Sequence, residues 1–211
     1  MRTARLFAIV AALLTLGGCT GLVTASPSSS GSAADPTSAR QQLATLTVAA
    51  SRSMSGYSRT RFPHWIDQGG GCNTRDLVLK RDGQGVTATA TCKITHGTWS
   101  SPYDGLTYTD PQKLDIDHMV PLANAWRSGA DSWTDAKRQD FANDLTRPQL
   151  LAVSLTQNRA KGDQDPAQWK PPNHGFWCQY AEDWVAVKHF WALSVTAAEK
   201  TALTDMLGTC P

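Results

Sequence analysis

Leu114-Asp115-Ile116-Asp117-His118-Met119-Val120-Pro121-Leu122 is the stretch whose reading decides the fold. Leu114 and Ile116 alternate with Asp115 and Asp117, a period of two that predicts a short half-buried strand. Pro121 lacks the N–H that a ladder needs and ends that strand. Asp117 and His118 therefore stand at a strand end, where a carboxylate and an imidazole share one small volume. An imidazole titrating near neutrality can take a proton from water. A carboxylate oxygen is a hard donor suited to Mg²⁺ or Mn²⁺. Taken alone, an Asp-His pair is more often a carboxylate orienting a surface imidazole, so the pair needs partners further along the chain.

Those partners follow Pro148. Leu150-Leu151-Ala152-Val153 is an apolar run that reads as a second strand. Ser154 or Thr156 then caps a short helix containing Asn158 and Lys161, and Gly162 ends it. Two antiparallel strands followed by a helix can bring Asp117, His118 and Asn158 around one ion. Asp117 offers a carboxylate and Asn158 an amide carbonyl, a sparse oxygen site of the kind that waters and a substrate phosphate complete around Mg²⁺. Lys161 lies three residues after Asn158 on the same helical face, placed to reach a phosphate. Asp115 either joins the site or is solvated.

The aromatic and basic cluster from Gly56 to Trp65 carries Arg59 and Arg61. It reads either as a loop capping the core with its rings or as a phosphate contact through those arginines. Arg127 and Arg159, with Arg147, are further local phosphate grips. His64, His96, His174 and His189 have no paired motif and read as structural or exposed.

Around this core the chain predicts a mostly helical domain. Helices are expected over 38–53, from the Asn73 cap to Lys80, over 122–127, from the Thr134 cap to about Asn143, and over 176–191. A last helix opens on the capping box Thr196–Glu199 and ends at Gly208. Alternation from Val86 to Ile94 predicts one strand, with Gly97 turning the chain into another at Trp99. The aromatic recurrence Trp177, Tyr180, Trp184, Trp191 is read as core. The expected class is α+β: a small antiparallel hairpin plus helix embedded in a mostly helical domain of residues 39–211.

The first eighteen residues read as an export signal, with Arg2 and Arg5 before the apolar run Leu6–Leu16. That run is short for a bilayer span. Leu16-Gly17-Gly18-Cys19 resembles a lipoprotein box, with Cys19 as the lipidated residue; cleavage after Ala25 is the alternative. A Ser/Pro/Ala linker over 19–38 follows. Cys72, Cys92, Cys178 and Cys210 remain, and four cysteines in an exported chain suggest two disulfides. The pairing Cys72–Cys92 and Cys178–Cys210 is expected, because each pair brackets one segment.

Loss of Arg2 and Arg5 with the signal would leave 18 Lys and Arg against 18 Asp and Glu. A near-neutral chain does not grip nucleic acid over a wide face, so any grip is local.

Asp115-Ile116-Asp117-His118-Met119-Val120-Pro121, followed by Asn158-Arg159-Ala160-Lys161-Gly162-Asp163, resembles the ββα-metal, or HNH, nuclease motif. It is especially similar to the HNH domain of CRISPR effector nucleases and to the C-terminal domain of GmrSD-type restriction enzymes. With Gly56-Tyr57, Ser101-Pro102-Tyr103-Asp104-Gly105 and Gly162-Asp163-Gln164-Asp165-Pro166, the fuller pattern resembles exported bacterial HNH nucleases over about residues 40–210. The resemblance implies His118 as general base and Asp117 and Asn158 as ligands of Mg²⁺ or Mn²⁺. The family's middle Asn falls at about Gln149, where the residue supports the loop that holds the base. The implied function is an exported metal-dependent endonuclease acting on DNA, or RNA, with low sequence specificity. Its implied location is the cell surface through a lipid on Cys19, or free secretion, with no obligate protein partner. The alternative is a cell-surface lipoprotein that binds nucleic acid without cleaving it.

Overall fold

The Asp-His stretch forms a strand because both its faces find cover. Our computed structural model describes residues 36–211. The expected signal segment, Cys19 and most of the expected linker lie outside the described residues. The last linker positions are helical, since α1 begins at Pro36 and runs Pro36–Thr45.

Strand β4 (Leu114–His118) pairs antiparallel with β5 (Leu150–Ser154), from Leu114 opposite Ser154 to His118 opposite Leu150. Helix α5 (Leu155–Lys161) follows β5 without a break, capped by the Ser154 side chain accepting from Gln157 N. A separate three-stranded sheet has the order β1 (Gln84–Ala88), β2 (Ile94–Ser100), β3 (Thr107–Tyr108). Helix α2 (Thr74–Asp82) packs on β2, β4 and β5. Arg81 donates to Leu150 O at 2.6 Å and Asp82 accepts from Ala152 N at 2.8 Å, so α2 caps backbone groups of β5 that lack a strand partner.

The insertion between β4 and β5 carries α3 (Leu122–Arg127) and α4 (Asp135–Ala142). Helices α6 (Trp177–Phe190) and α7 (Ala197–Leu207) pack with α1. Two apolar clusters result. One joins α1, α3, α4, α6 and α7 around Phe62, Trp126, Phe141 and Trp184. The other joins α2, β2, β4 and β5 around Trp99, Leu114 and Ile116. Leu114 and Ile116 belong to the second cluster and Met119 and Val120 to the first, so His118 stands where the two meet.

The expected class holds: mixed α+β, with the β4–β5–α5 unit inside helices and two disulfides. The bonds are Cys72–Cys92 and Cys178–Cys210, the expected pairing. Three local readings differ. The alternation from Val86 to Ile94 spans a turn, not one strand, because the chain reverses at Thr89–Lys93. Gly97 lies inside β2 rather than at a turn. A Cβ there would sit 2.5 Å from the Trp99 ring, so only glycine leaves that ring room. Helix α1 ends at Thr45, well before Ser53, because Val48 bridges Val195 and the chain becomes extended.

Candidate active site

Asp117, His118, Asn158 and Arg59 line one cavity of about 200 Å³, together with Tyr57, Pro121, Leu122 and Asp163. The ββα unit supplies the first three, β4 giving Asp117 and His118 and α5 giving Asn158. The Ser58-capped turn Arg59–Arg61 supplies the fourth.

His118 is buried, with 5% of its surface exposed. Burial, with smaller contributions from the charges of Arg59, His64 and Lys161, pushes its imidazole down to about 3, against the hydrogen bond to Ala142 that favours the charged ring. The ring is therefore neutral at physiological pH. Its Nε2 lies 2.9 Å from Ala142 O. A carbonyl only accepts, so Nε2 carries the proton and Nδ1 keeps the lone pair. The Trp65 ring stacks on the imidazole, centroids 5.4 Å apart at 22°.

Asp117 is held at one oxygen. Its Oδ2 accepts from Tyr103 Oη at 2.5 Å and from Lys161 Nζ. Burial raises the Tyr103 phenol well above its ordinary value, and the Asp117 charge raises it further, so the hydroxyl stays a donor. Burial likewise raises Asp117 and lowers Lys161, while their mutual attraction and hydrogen bonding oppose both shifts. Asn158 donates through Nδ2 to Asp115 Oδ2 at 3.1 Å. A carboxylate accepts only, so this bond fixes the amide with its carbonyl oxygen turned away from Asp115. Asp115, which the sequence left open, is thus the group that orients Asn158.

Gln149 is fully buried and engages the loop after His118. Its Oε1 accepts from Val120 N at 3.1 Å, its Nε2 donates to Val120 O at 3.0 Å, and its own carbonyl accepts from Met119 N at 2.7 Å.

Several expected phosphate contacts are placed elsewhere. Lys161 is fully buried, and its ammonium donates to Asp117 Oδ2, His118 O at 3.0 Å and Met119 O at 2.9 Å. Three donors are committed, so none is free to reach a phosphate. Arg61 lies over the Trp126 ring at 5.3 Å and 3.8 Å from Asp135. Arg127 is paired with Asp163 at 2.6 Å. Arg159 is exposed on α5 and is not among the residues lining the cavity. Arg147 is paired with Asp144 at 3.2 Å and lies over the Phe190 ring. Of the five arginines singled out, Arg59 lines the cavity.

Sequence reading missed Tyr103 and Trp65 as members of the site. The only signal for Tyr103 was its place in the Ser101–Gly105 segment of the family pattern.

The donor set fits a hard divalent cation: a carboxylate at Asp117 and an amide carbonyl at Asn158 on one cavity wall, with room for water. Cys178, Glu182 and Cys210 also lie within 4.8 Å of one another. The two cysteines form a disulfide there and offer no thiolate, so that group does not suit a metal.

No solved structure matches this chain. A secreted protein of the fungus Arthroderma benhamiae, described as uncharacterized, is 55% identical over 172 residues, covering 82% of this chain and 84% of the relative. The model of the C-terminal domain of GmrSD restriction endonucleases matches residues 74–206, which take in β4, β5 and α5. The chain belongs to that GmrSD C-terminal domain family.

Proposed function

We propose that this protein is an exported, metal-dependent endonuclease of the HNH type that hydrolyses phosphodiester bonds in DNA, or RNA, with little sequence specificity. The observation that carries the reading is one cavity holding a neutral imidazole, its Nε2 proton committed to Ala142 O, beside the oxygen donors Asp117 and Asn158. Membership of a restriction-endonuclease domain family supports it. Two disulfides and a secreted relative support export into an oxidising environment. The fungal source of that relative extends the resemblance beyond bacteria, and lipidation of Cys19 remains part of the proposal only for a bacterial export route.

In the reaction, His118 Nδ1 takes a proton from a water molecule. The water oxygen forms a bond to phosphorus, the bond from phosphorus to the departing sugar oxygen breaks, and that oxygen takes a proton from solvent. Asp117 and Asn158 would hold Mg²⁺ or Mn²⁺, which would supply positive charge against the negative charge that builds up as the phosphodiester is cleaved. Arg59 offsets negative charge from the cavity wall. Lys161 and Tyr103 hold Asp117 in place, and Gln149 holds the loop after the base.

Metal titration tests the ligand assignment. Asp117→Ala and Asn158→Ala are expected to weaken Mn²⁺ binding measured by calorimetry and to raise the Mn²⁺ concentration needed for plasmid cleavage. Unchanged titrations for both variants would overturn it.

A further inference from the structure

We propose that Trp65 and Asn143 form a clamp that fixes the His118 ring in one orientation and one tautomer, which makes them positioning residues of the site. The inference deepens the nuclease reading and rests on it for its kinetic consequence.

Two groups set the His118 ring. Ala142 O takes the Nε2 proton at the ring's edge, and the Trp65 ring covers one face. They come from segments far apart in sequence, and the side chain of Asn143 ties them together. Asn143 caps the C-terminus of α4, directly after Ala142. Its Nδ2 donates to Pro63 O at 2.8 Å and to Gln139 O at 2.8 Å. Its Oδ1 accepts from Ile66 N at 3.3 Å and from Thr74 Oγ1 at 2.7 Å. Pro63 and Ile66 flank the loop that carries Trp65. One buried amide thus joins the support for the ring's edge to the support for its face.

Trp65 has φ of 59°, a left-handed backbone that bulky side chains avoid. Such a conformation persists where the surroundings over-determine it, and the bonds of Asn143 on both sides of Trp65 do so. The result is an indole stacked on the imidazole at an inclination of 22°, with His64 meeting the indole edge-on at 5.2 Å. An imidazole held at one edge alone could still swing about its Cβ–Cγ bond. Held at edge and face, it presents Nδ1 in one direction.

Long-range ¹⁵N NMR of the His118 side chain, in metal-free protein, reads the tautomer directly. Wild type is expected to show Nε2–H alone. Trp65→Gly removes the ring but suits the positive φ, so the loop keeps its backbone; it is expected to show both tautomers. In plasmid cleavage, Trp65→Gly is expected to lose about 10²-fold in kcat, the cost of a misplaced catalytic group, with KM unchanged. Trp65→Phe keeps a stacked ring and is expected to recover most of that loss. Asn143→Ala is expected to resemble Trp65→Gly in its NMR spectrum; if it fails to fold, the Trp65 variants decide the matter. Mixed tautomers in wild type, or Trp65→Gly with a single tautomer and unchanged kcat, or a loss confined to KM, would overturn the clamp. If wild type cleaves nothing, the nuclease reading falls while the tautomer comparison still decides whether the clamp exists.

Discussion

At the scale of residues, Lys161 shows how burial changes a role that spacing suggests. A lysine three positions after Asn158 reads as an exposed cation for phosphate. In the fold its ammonium is fully buried against Asp117 and the carbonyls of His118 and Met119. It is an internal counter-charge that keeps Asp117 in place and fastens the turn after His118. Lys161→Met leaves Asp117 buried without its cation and is expected to cost about 3–5 kcal/mol in urea unfolding. The double variant Lys161→Met, Asp117→Asn is expected to regain much of that, and no recovery would contradict the pairing. That Asp117, His118 and Asn158 come together was legible, because strand alternation and a capped helix are local signals. Tyr103 and Asp115 were not, because their roles rest on contacts 14 and 43 residues away in sequence, with Asp117 and Asn158 respectively. Trp65 was equally hidden, since nothing local marks a ring that stacks on His118.

At the scale of elements, the sequence carried the β4, β5, α5 order and most of the helices through their caps. Asn73, Thr134, Ser154 and Thr196 each cap a helix as their chemistry suggests. The hairpin at Thr89–Lys93 was not legible, because a period of two continues unbroken through a turn. Cys92 takes φ of 63° there and is bonded to Cys72, a constraint that alternation does not encode. Gly97 illustrates the same point, since its reason is the Trp99 ring rather than a turn. Gly97→Ala is expected to destabilise the domain by about 1–3 kcal/mol through overpacking against that ring; a thermal midpoint equal to wild type would contradict this. Helices α6 and α7 are joined across 32 residues by Cys178–Cys210. Removing that bond with paired serines is expected to cost about 3–4 kcal/mol, from the loop entropy restored to the unfolded chain.

At the scale of the whole molecule, two apolar clusters meet at the His118 imidazole, and stability carries a pH signature from Asp183 in α6. Burial pushes Asp183 up to about 7, against about 3.9 in an unfolded chain. Between those values the folded state holds a proton that the unfolded state releases. The stability tied to this carboxyl is full below about pH 4 and is lost as pH rises toward 7, with a slope of at most about 1.4 kcal/mol per unit. Asp183→Asn removes the titration, so its urea midpoint is expected to gain on wild type as pH climbs from 4 to 7. Parallel curves across that window would contradict the assignment. The central claim is that His118 is the base of a metal-dependent nuclease, and plasmid cleavage by the purified, disulfide-intact domain tests it most directly. With Mg²⁺ or Mn²⁺, supercoiled plasmid is expected to be nicked and linearised. EDTA is expected to abolish this, and His118→Ala to reduce it by on the order of 10²–10⁴-fold with the fold retained. Cleavage at near wild-type rate by His118→Ala, or salt-sensitive DNA retention without any cleavage by wild type, would contradict the account.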